Sequence, residues 1–142
     1  MQLKVKLSDG APLPKHAKKG DAGLDLTSRE TVQIAPFETV LVGTGVQAEI
    51  PDGYFGDVRP RSSIATKRGI TLANSPSTID SGYRGEIMLP LHNITSKMQR
   101  VEKGERVAQM IIQPFATCEC VEVDELSDSE RGVGGFGSTG KR

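Results

Sequence analysis

The sequence has few of the residues that build disulfides or zinc sites, with two cysteines and two histidines among 142 residues. Cys118 and Cys120 are two positions apart, on one face of a predicted strand, so we interpret them as reduced packing residues. His16 and His92 are too few to support a zinc site, and no Ser-His-Asp arrangement is indicated. The scarcity argues against disulfide-stabilised, zinc-dependent and serine-hydrolase classes of protein.

The sequence also lacks a charge excess and a long apolar run. Eighteen basic and 18 acidic residues give a formal net charge of +0, which argues against nucleic acid as a direct partner and against a polybasic membrane-binding surface. No apolar run approaches the length of a membrane span, and the N-terminal segment MQLKVKL has no signal-peptide core. We therefore expect a cytoplasmic protein that contacts neither a membrane nor nucleic acid.

What the chain does contain is a series of short β-rich segments. Sixteen glycines and eight prolines interrupt it, and no window keeps a helical period. One helix, capped by a serine, is predicted at 62–67. Strands are predicted at 2–7, 21–26, 31–34, 40–42, 46–50, 54–59, 70–72, 106–113 and 118–123.

Many short strands with regular turns predict an all-β protein, either an antiparallel barrel or a double-sheet jelly roll. We predict one domain over residues 1–126 and a flexible tail over 127–142. The last part of this tail is glycine-rich with almost nothing that can pack, and we expect it to be mobile in the free protein.

The segment 74–93, N-S-P-S-T-I-D-S-G-Y-R-G-E-I-M-L-P-L-H-N, is predicted to form a hairpin around Ser81-Gly82. Asp80 and Tyr83 would then lie near its tip. A carboxylate there can accept a proton from water, an aromatic ring can stack on a flat or sugar-like ligand, and the Asn74 amide can read a donor and an acceptor on one base edge. An ordinary hairpin explains the same residue types, because Asp and Gly are common in turns.

Three further segments carry groups suited to phosphate. Residues 59–65 place Arg61 and two serines at the predicted helix start, where backbone N–H groups bind anions, although a serine there can simply cap the helix. Gln109 follows the turn at 103–105 and can donate to a phosphate or be an exposed strand residue. The segment 131–140 combines a glycine-rich backbone with an arginine, a phenylalanine and hydroxyls, or is a disordered tail.

Five segments in order resemble the motifs of the trimeric dUTPase family: A-G-L-D-L at 22–26, P-R-S-S-I-A at 60–65, the segment 74–93, G-E-R-V-A-Q at 104–109 and R-G-V-G-G-F-G-S-T-G at 131–140. The resemblance spans nearly the whole chain. It implies a jelly-roll-like β barrel that assembles as a homotrimer with active sites shared between subunits. It also implies Mg²⁺-assisted hydrolysis of dUTP to dUMP and pyrophosphate, which limits uracil incorporation into DNA and supplies dUMP for dTTP synthesis.

The resemblance implies a role for individual residues. Asp80 would be the base that activates the water attacking the α-phosphorus, and Tyr83 would pack under the deoxyribose, where a 2′-hydroxyl would clash. Asp25 would hold magnesium through water, with the ion bound mainly by the substrate phosphates. The other implied substrate contacts are Arg61, Ser62, Ser63, Asn74, Ile79, Met88, Gln109, Arg131, Phe136, Gly137, Ser138 and Thr139. Ser63 stands where the family more commonly has glycine.

Two alternative functions share the same fold. The dCTP deaminase family resembles the chain at Arg61-Ser62-Ser63, but Thr66 stands where that family has an arginine and Pro90 stands where it has a catalytic glutamate. That family also lacks the glycine-rich tail. A non-catalytic module is the second alternative, and the intact Asp80 with all five segments argues against it. Magnesium and manganese both favour oxygen ligands, so the sequence leaves the choice between them open.

Overall fold

A computed structural model describes residues 1–8 and 10–135, which form eleven short strands and one helix. In chain order these are β1 (Lys4–Leu7), β2 (Leu24–Thr27), β3 (Val32–Ile34), β4 (Thr39–Gly43), β5 (Val46–Glu49), β6 (Tyr54–Pro60), α1 (Ser62–Arg68), β7 (Ile70–Leu72), β8 (Ser77–Ile79), β9 (Met88–Asn93), β10 (Gln99–Val101) and β11 (Arg106–Pro114).

The strands form four sheets, and each recorded pairing is antiparallel. The largest sheet has the order β2-β11-β6-β8, and a three-stranded sheet has the order β4-β9-β7. Two pairs, β1-β5 and β10-β3, complete the set. The predicted all-β class with antiparallel strands is confirmed.

A single apolar core is built from the inward-facing residues of these sheets. In β9, buried and half-buried residues alternate, with Leu89 and Leu91 buried, because successive side chains of a strand point to opposite faces. Val58 of β6 and Met110 of β11 are buried in the same core. Fully burying one such side chain stabilises the fold by roughly 1.5–3 kcal/mol.

Asn93, at the end of β9, is a buried polar residue whose side chain is hydrogen-bonded to neighbouring segments. Its Nδ2 donates to the carbonyls of Ile34 (3.1 Å), Ala35 (3.0 Å) and Lys97 (2.8 Å), and its Oδ1 accepts from the backbone N–H of Thr95 (3.0 Å). Burial of an amide is tolerated only when its donors and acceptor are satisfied. This one side chain therefore joins β3, β9 and the turn that leads to β10.

The predicted hairpin around Ser81-Gly82 is wrong, although a turn is present there. The backbone N–H of Tyr83 donates to the carbonyl of Asp80 (3.1 Å). However, β8 pairs with β6, whereas β9 lies between β4 and β7, so the two flanking strands belong to different sheets. The segment is a link between sheets, because turn residues specify the local bend and not the partner of the strand that follows.

Two other predictions need correction. The helix begins after Arg61 as its N-cap residue, and no side chain caps it by a hydrogen bond, so the predicted serine cap is wrong. The strand predicted at 118–123 is absent, and Cys118 and Cys120 are exposed free thiols rather than packing residues. A strand needs a partner for its backbone groups, and within the described residues this segment pairs with none. Strand β10 was not predicted.

No helix among the described residues is long and apolar enough to cross a membrane.

Candidate active site

The large sheet brings four of the predicted site residues to one pocket. Asp25 on β2 lies directly opposite Gln109 on β11, and Arg61 and Ser62 follow the end of β6, the strand on the other side of β11. These four residues line a pocket of about 250 Å³, together with Asp21 and others. Residues that are 84 positions apart in the sequence thus converge because three antiparallel strands lie side by side.

Ion pairs order this pocket. Arg61 Nε lies 3.3 Å from Asp25 Oδ1, and Arg106 Nη1 lies 2.9 Å from Asp25 Oδ2. The Asp25 side chain is only 12% exposed, against 28% for Arg61 and 49% for Arg106. Arg61 lines this pocket, whereas Arg106 lines a neighbouring one that shares Asp25. The carboxylate between the two guanidinium groups holds both arginines in place while leaving most of their N–H donors for an anion.

Sequence reasoning missed Arg106. The signal was present, because Arg106 lies inside the segment G-E-R-V-A-Q that directed attention to Gln109. On an isolated strand, residues three apart point to opposite faces. A register shift between Arg106 and Ala108 in the β2–β11 pairing changes this relation, and such an irregularity is not visible in the sequence.

Gly23 lets the Gln109 side chain lie across the pocket. A Cβ atom at Gly23 would lie 3.0 Å from Cβ and Cδ of Gln109 and would meet its amide oxygen more closely still. Ser62 lines the pocket, whereas Ser63 is exposed outside it. Because α1 has only seven residues, its dipole is weak, and the donors that the pocket offers to an anion are side chains.

A second group of predicted residues lies on the segment between the two sheets. Asp80 and Tyr83 are both exposed, with Tyr83 at 43%. Arg84 Nη1 donates to the carbonyls of Ser81 (2.6 Å) and Tyr83 (3.0 Å). The segment is therefore held by its own hydrogen bonds while it presents a carboxylate and an aromatic ring to solvent.

The other predicted residues of this group differ in exposure. Asn74 is exposed, and its Nδ2 donates to Ser77 Oγ (3.1 Å). The Ile79 side chain packs in the core, which leaves its backbone as the part able to face a ligand. Met88 is half-buried and pairs with Gly43 across the β4–β9 ladder.

Within one chain, Asp80 and the Asp25–Arg61 pocket lie near opposite ends of β6. Ile79 pairs with Gly56, so Asp80 lies near the start of β6, whereas Arg61 follows its end. Six residues of extended strand between Phe55 and Arg61 span about 20 Å. The Asp80 carboxylate therefore does not reach the Asp25–Arg61 pocket of its own chain.

The described residues contain no group of three His, Cys, Asp or Glu side chains that could hold a metal ion. Asp25 has both oxygens paired with arginines. A magnesium ion fits this pocket only when other oxygen ligands, such as phosphates and water, complete its coordination.

Arg131 is exposed, and its Nε donates to the Gly134 carbonyl (3.1 Å). The remaining predicted contacts of the tail, Phe136, Gly137, Ser138 and Thr139, lie outside the described residues.

The chain is similar to known proteins in both sequence and structure. A family model described as dUTPase matches residues 9–140. The deoxyuridine 5′-triphosphate nucleotidohydrolase of Hydrogenobaculum sp. is 51% identical and covers 100% of both chains. That of Clostridioides difficile is 52% identical over 97% of both chains.

Solved structures of dUTPases are also similar to this chain. The dUTPase of Staphylococcus bacteriophage 80alpha with dUpNHpp is similar with a TM-score of 0.91 and 34% identity, covering 98% of both chains. A mutant dUTPase from phage phi11 of S. aureus, studied for its coordination of a structural Mg(II) ion, has a TM-score of 0.84 and 27% identity, covering 90% of this chain and 100% of that one.

Proposed function

The chain belongs to the dUTPase family, and we propose that it hydrolyses dUTP to dUMP and pyrophosphate. The observation that carries the proposal is the pocket in which Arg61, Ser62 and Gln109 converge around Asp25, in a chain that matches the family along almost its whole length. The activity would limit uracil incorporation into DNA and supply dUMP for dTTP synthesis. The reaction would take place in the cytoplasm, the compartment expected from the sequence.

In the proposed mechanism, Asp80 takes a proton from a water molecule whose oxygen attacks the α-phosphorus of dUTP. A new bond forms from that oxygen to phosphorus, and the bond between the α-phosphorus and the bridging oxygen breaks, with pyrophosphate as the leaving group. A carboxylate within hydrogen-bond reach of the water can accept its proton as a general base. Tyr83 packs under the deoxyribose, and Asn74, Ile79 and Met88 line the nucleoside.

The phosphates are held by Arg61, Ser62 and Gln109, which line the pocket, whereas Ser63 lies outside it and would contact substrate only at its edge. Guanidinium and amide donors offset the negative charge of the triphosphate and the charge that builds on the leaving group. Asp25 would hold Mg²⁺ through water. Such an ion, when bound mainly by the phosphates, neutralises further charge.

We further propose that the active site is shared between subunits of a homotrimer with a jelly-roll-like fold. Support comes from the separation of about 20 Å within one chain between the Asp80 segment and the phosphate pocket. If the Asp80 segment of one subunit faces the pocket of a neighbour, the base and the phosphate-binding groups meet. Residues of the tail, namely Arg131, Phe136, Gly137, Ser138 and Thr139, would complete the site over the substrate.

The function is tested by incubating the purified protein with dUTP, dCTP, dTTP or UTP in the presence of magnesium and measuring pyrophosphate and ammonia separately. We expect pyrophosphate from dUTP, far less from the other three nucleotides, and loss of activity when magnesium is chelated. Ammonia release from dCTP would assign the chain to the deaminase chemistry instead. Absence of any product from all four nucleotides would leave the non-catalytic alternative.

A further inference from the structure

The Tyr83 ring folds back over the chain that follows it and lies against Gly85. A Cβ atom placed at Gly85 would lie 2.5 Å from Tyr83 Cζ and 3.0 Å from Cε2. Carbon atoms that are not bonded attract at about 3.5–4.0 Å and repel strongly when closer. An alanine at this position therefore leaves no room for the ring in its present place.

The ring cannot shift freely, because its far end is tied down. Tyr83 Oη donates to the carbonyl of Glu86 (2.9 Å). The Glu86 carboxylate in turn accepts from the Gly45 N–H (2.7 Å), and the next residue, Ile87, is buried with its N–H donating to Val46 (2.8 Å). The ring is thus anchored to the core through two successive residues.

Gly82, in the same segment, provides a contrast. A Cβ atom at Gly82 would meet nothing within 4 Å. Neither Gly82 nor Gly85 is among the described glycines with positive φ, so neither position demands glycine for its backbone conformation. The need for glycine at position 85 therefore comes from the ring of Tyr83.

We propose that Gly85 is a positioning residue that sets the orientation of the Tyr83 ring and, through it, the discrimination between dUTP and UTP. The inference rests on the proposed function, in which this ring packs under the deoxyribose and excludes a 2′-hydroxyl. A side chain at position 85 pushes the ring away from that place. The space that the Tyr83 ring leaves can then hold the ribose of UTP, and the contact between the ring and the deoxyribose of dUTP weakens.

The test compares the parent protein with Gly85→Ala, Gly82→Ala, Tyr83→Ala and the double variant Tyr83→Ala/Gly85→Ala. For each, kcat/KM is measured with dUTP and with UTP. We expect Gly85→Ala to lower the ratio of the two values by roughly tenfold or more, since a misfit of one small group in a binding pocket is worth about that much. Gly82→Ala should leave the ratio unchanged.

The double variant separates positioning from other roles. If Gly85 acts only through the ring, adding Gly85→Ala to Tyr83→Ala changes neither the ratio nor the melting temperature further. A ratio equal to the parent's in Gly85→Ala overturns the proposal. So does an equal loss on both backgrounds, or a Gly85→Ala protein that melts far lower and is not restored by Tyr83→Ala.

Aromatic ¹H–¹³C NMR spectra test the inference without a measurement of turnover. The Tyr83 ring signals should move in Gly85→Ala and stay in place in Gly82→Ala, and unmoved signals in both would overturn the inference. A parent protein that cleaves no dUTP would refute the proposed function while these spectra still report on the ring. A parent that is selective for dUTP, with a Gly85→Ala variant equally selective, would refute only the inference about Gly85.

Discussion

At the scale of single residues, the two carboxylates of the proposed site differ in their exposure and in their partners. Asp80 lies exposed on a segment whose backbone is held by hydrogen bonds among residues 80–86. Asp25, in contrast, is held between Arg61 and Arg106. The two carboxylates therefore suit the different tasks proposed for them: Asp80 is accessible to water, and Asp25 is held between two arginines.

Replacing Asp80 tests its assignment as the base. Asp80→Asn keeps the size of the side chain and removes its ability to take a proton, so we expect turnover to fall by about two orders of magnitude or more. Binding of a non-hydrolysable dUTP analogue, measured by calorimetry, should be largely retained. Turnover within a few-fold of the parent would mean that another group activates the water.

At the scale of secondary-structure elements, the fold depends on buried side-chain hydrogen bonds as well as on the apolar core. Asn93 is the clearest case, with no exposed surface and hydrogen bonds to three carbonyls. Asn93→Ala removes the donor to these carbonyls, of which the hydrogen bond to Ile34 is buried and the other two are partly buried. We expect a loss of about 1–3 kcal/mol in the free energy of unfolding, the cost of leaving a buried group unsatisfied.

Urea unfolding at one fixed protein concentration measures this loss, since assembly makes apparent stability depend on concentration. Gln33→Ala is a suitable control, because Gln33 is exposed on β3 and should change the stability by less than about 0.5 kcal/mol. An Asn93→Ala protein as stable as the control would show that water replaces the amide at no cost.

The C-terminal segment is predicted to matter for activity and not for stability. The last strand ends at Pro114, and residues 115–133 are exposed. A chain that ends at Glu130 should therefore melt within a few degrees of the parent, yet lose most dUTP cleavage, because it lacks Arg131 and the proposed contacts at 136–139. Phe136→Ala should be milder than the truncation, since the phosphate contacts remain.

Calorimetric melting and pyrophosphate release are the two measurements for the truncated chain. Hydrolysis at near the parent rate would show that the tail takes no part in the reaction. A large fall in melting temperature would instead assign it a structural role.

At the scale of the whole molecule, the separation between Asp80 and the proposed phosphate pocket supports the proposal that each site takes residues from more than one chain. Exposed apolar side chains at Val121, Val123 and Leu126 fit a surface that is covered on assembly. Light scattering should give about three times the chain mass of 15.2 kDa, as a closed three-fold ring requires.

Mixing two inactive variants tests the shared site directly. Asp80→Asn and Arg61→Ala each disable every site when alone. If each site takes Asp80 from one subunit and Arg61 from its neighbour, unfolding and refolding an equal mixture should restore about a quarter of the parent activity by random assortment into cyclic trimers. A mixture as inactive as its components, or an active monomer, would place the whole site within one chain.

The sequence by itself determined the local features of this protein. Short β-rich runs and turn residues act over a few positions, so the all-β class, most strands and the turn between Asp80 and Tyr83 could be predicted. The types and order of the site residues were equally visible, because the five segments are contiguous. Nothing beyond near neighbours in the chain was needed for either.

Only the tertiary structure decided which elements meet. Pairing joins residues far apart in the chain, which is why β8 and β9 lie in different sheets although a turn lies between them. The segment 118–123 has suitable residues but no strand partner within the described residues. The approach of Arg106 to Asp25 and of Tyr83 to Gly85 likewise depends on backbone placement. Propensity reports what a segment can form, whereas packing and hydrogen bonding to distant segments decide what it does form.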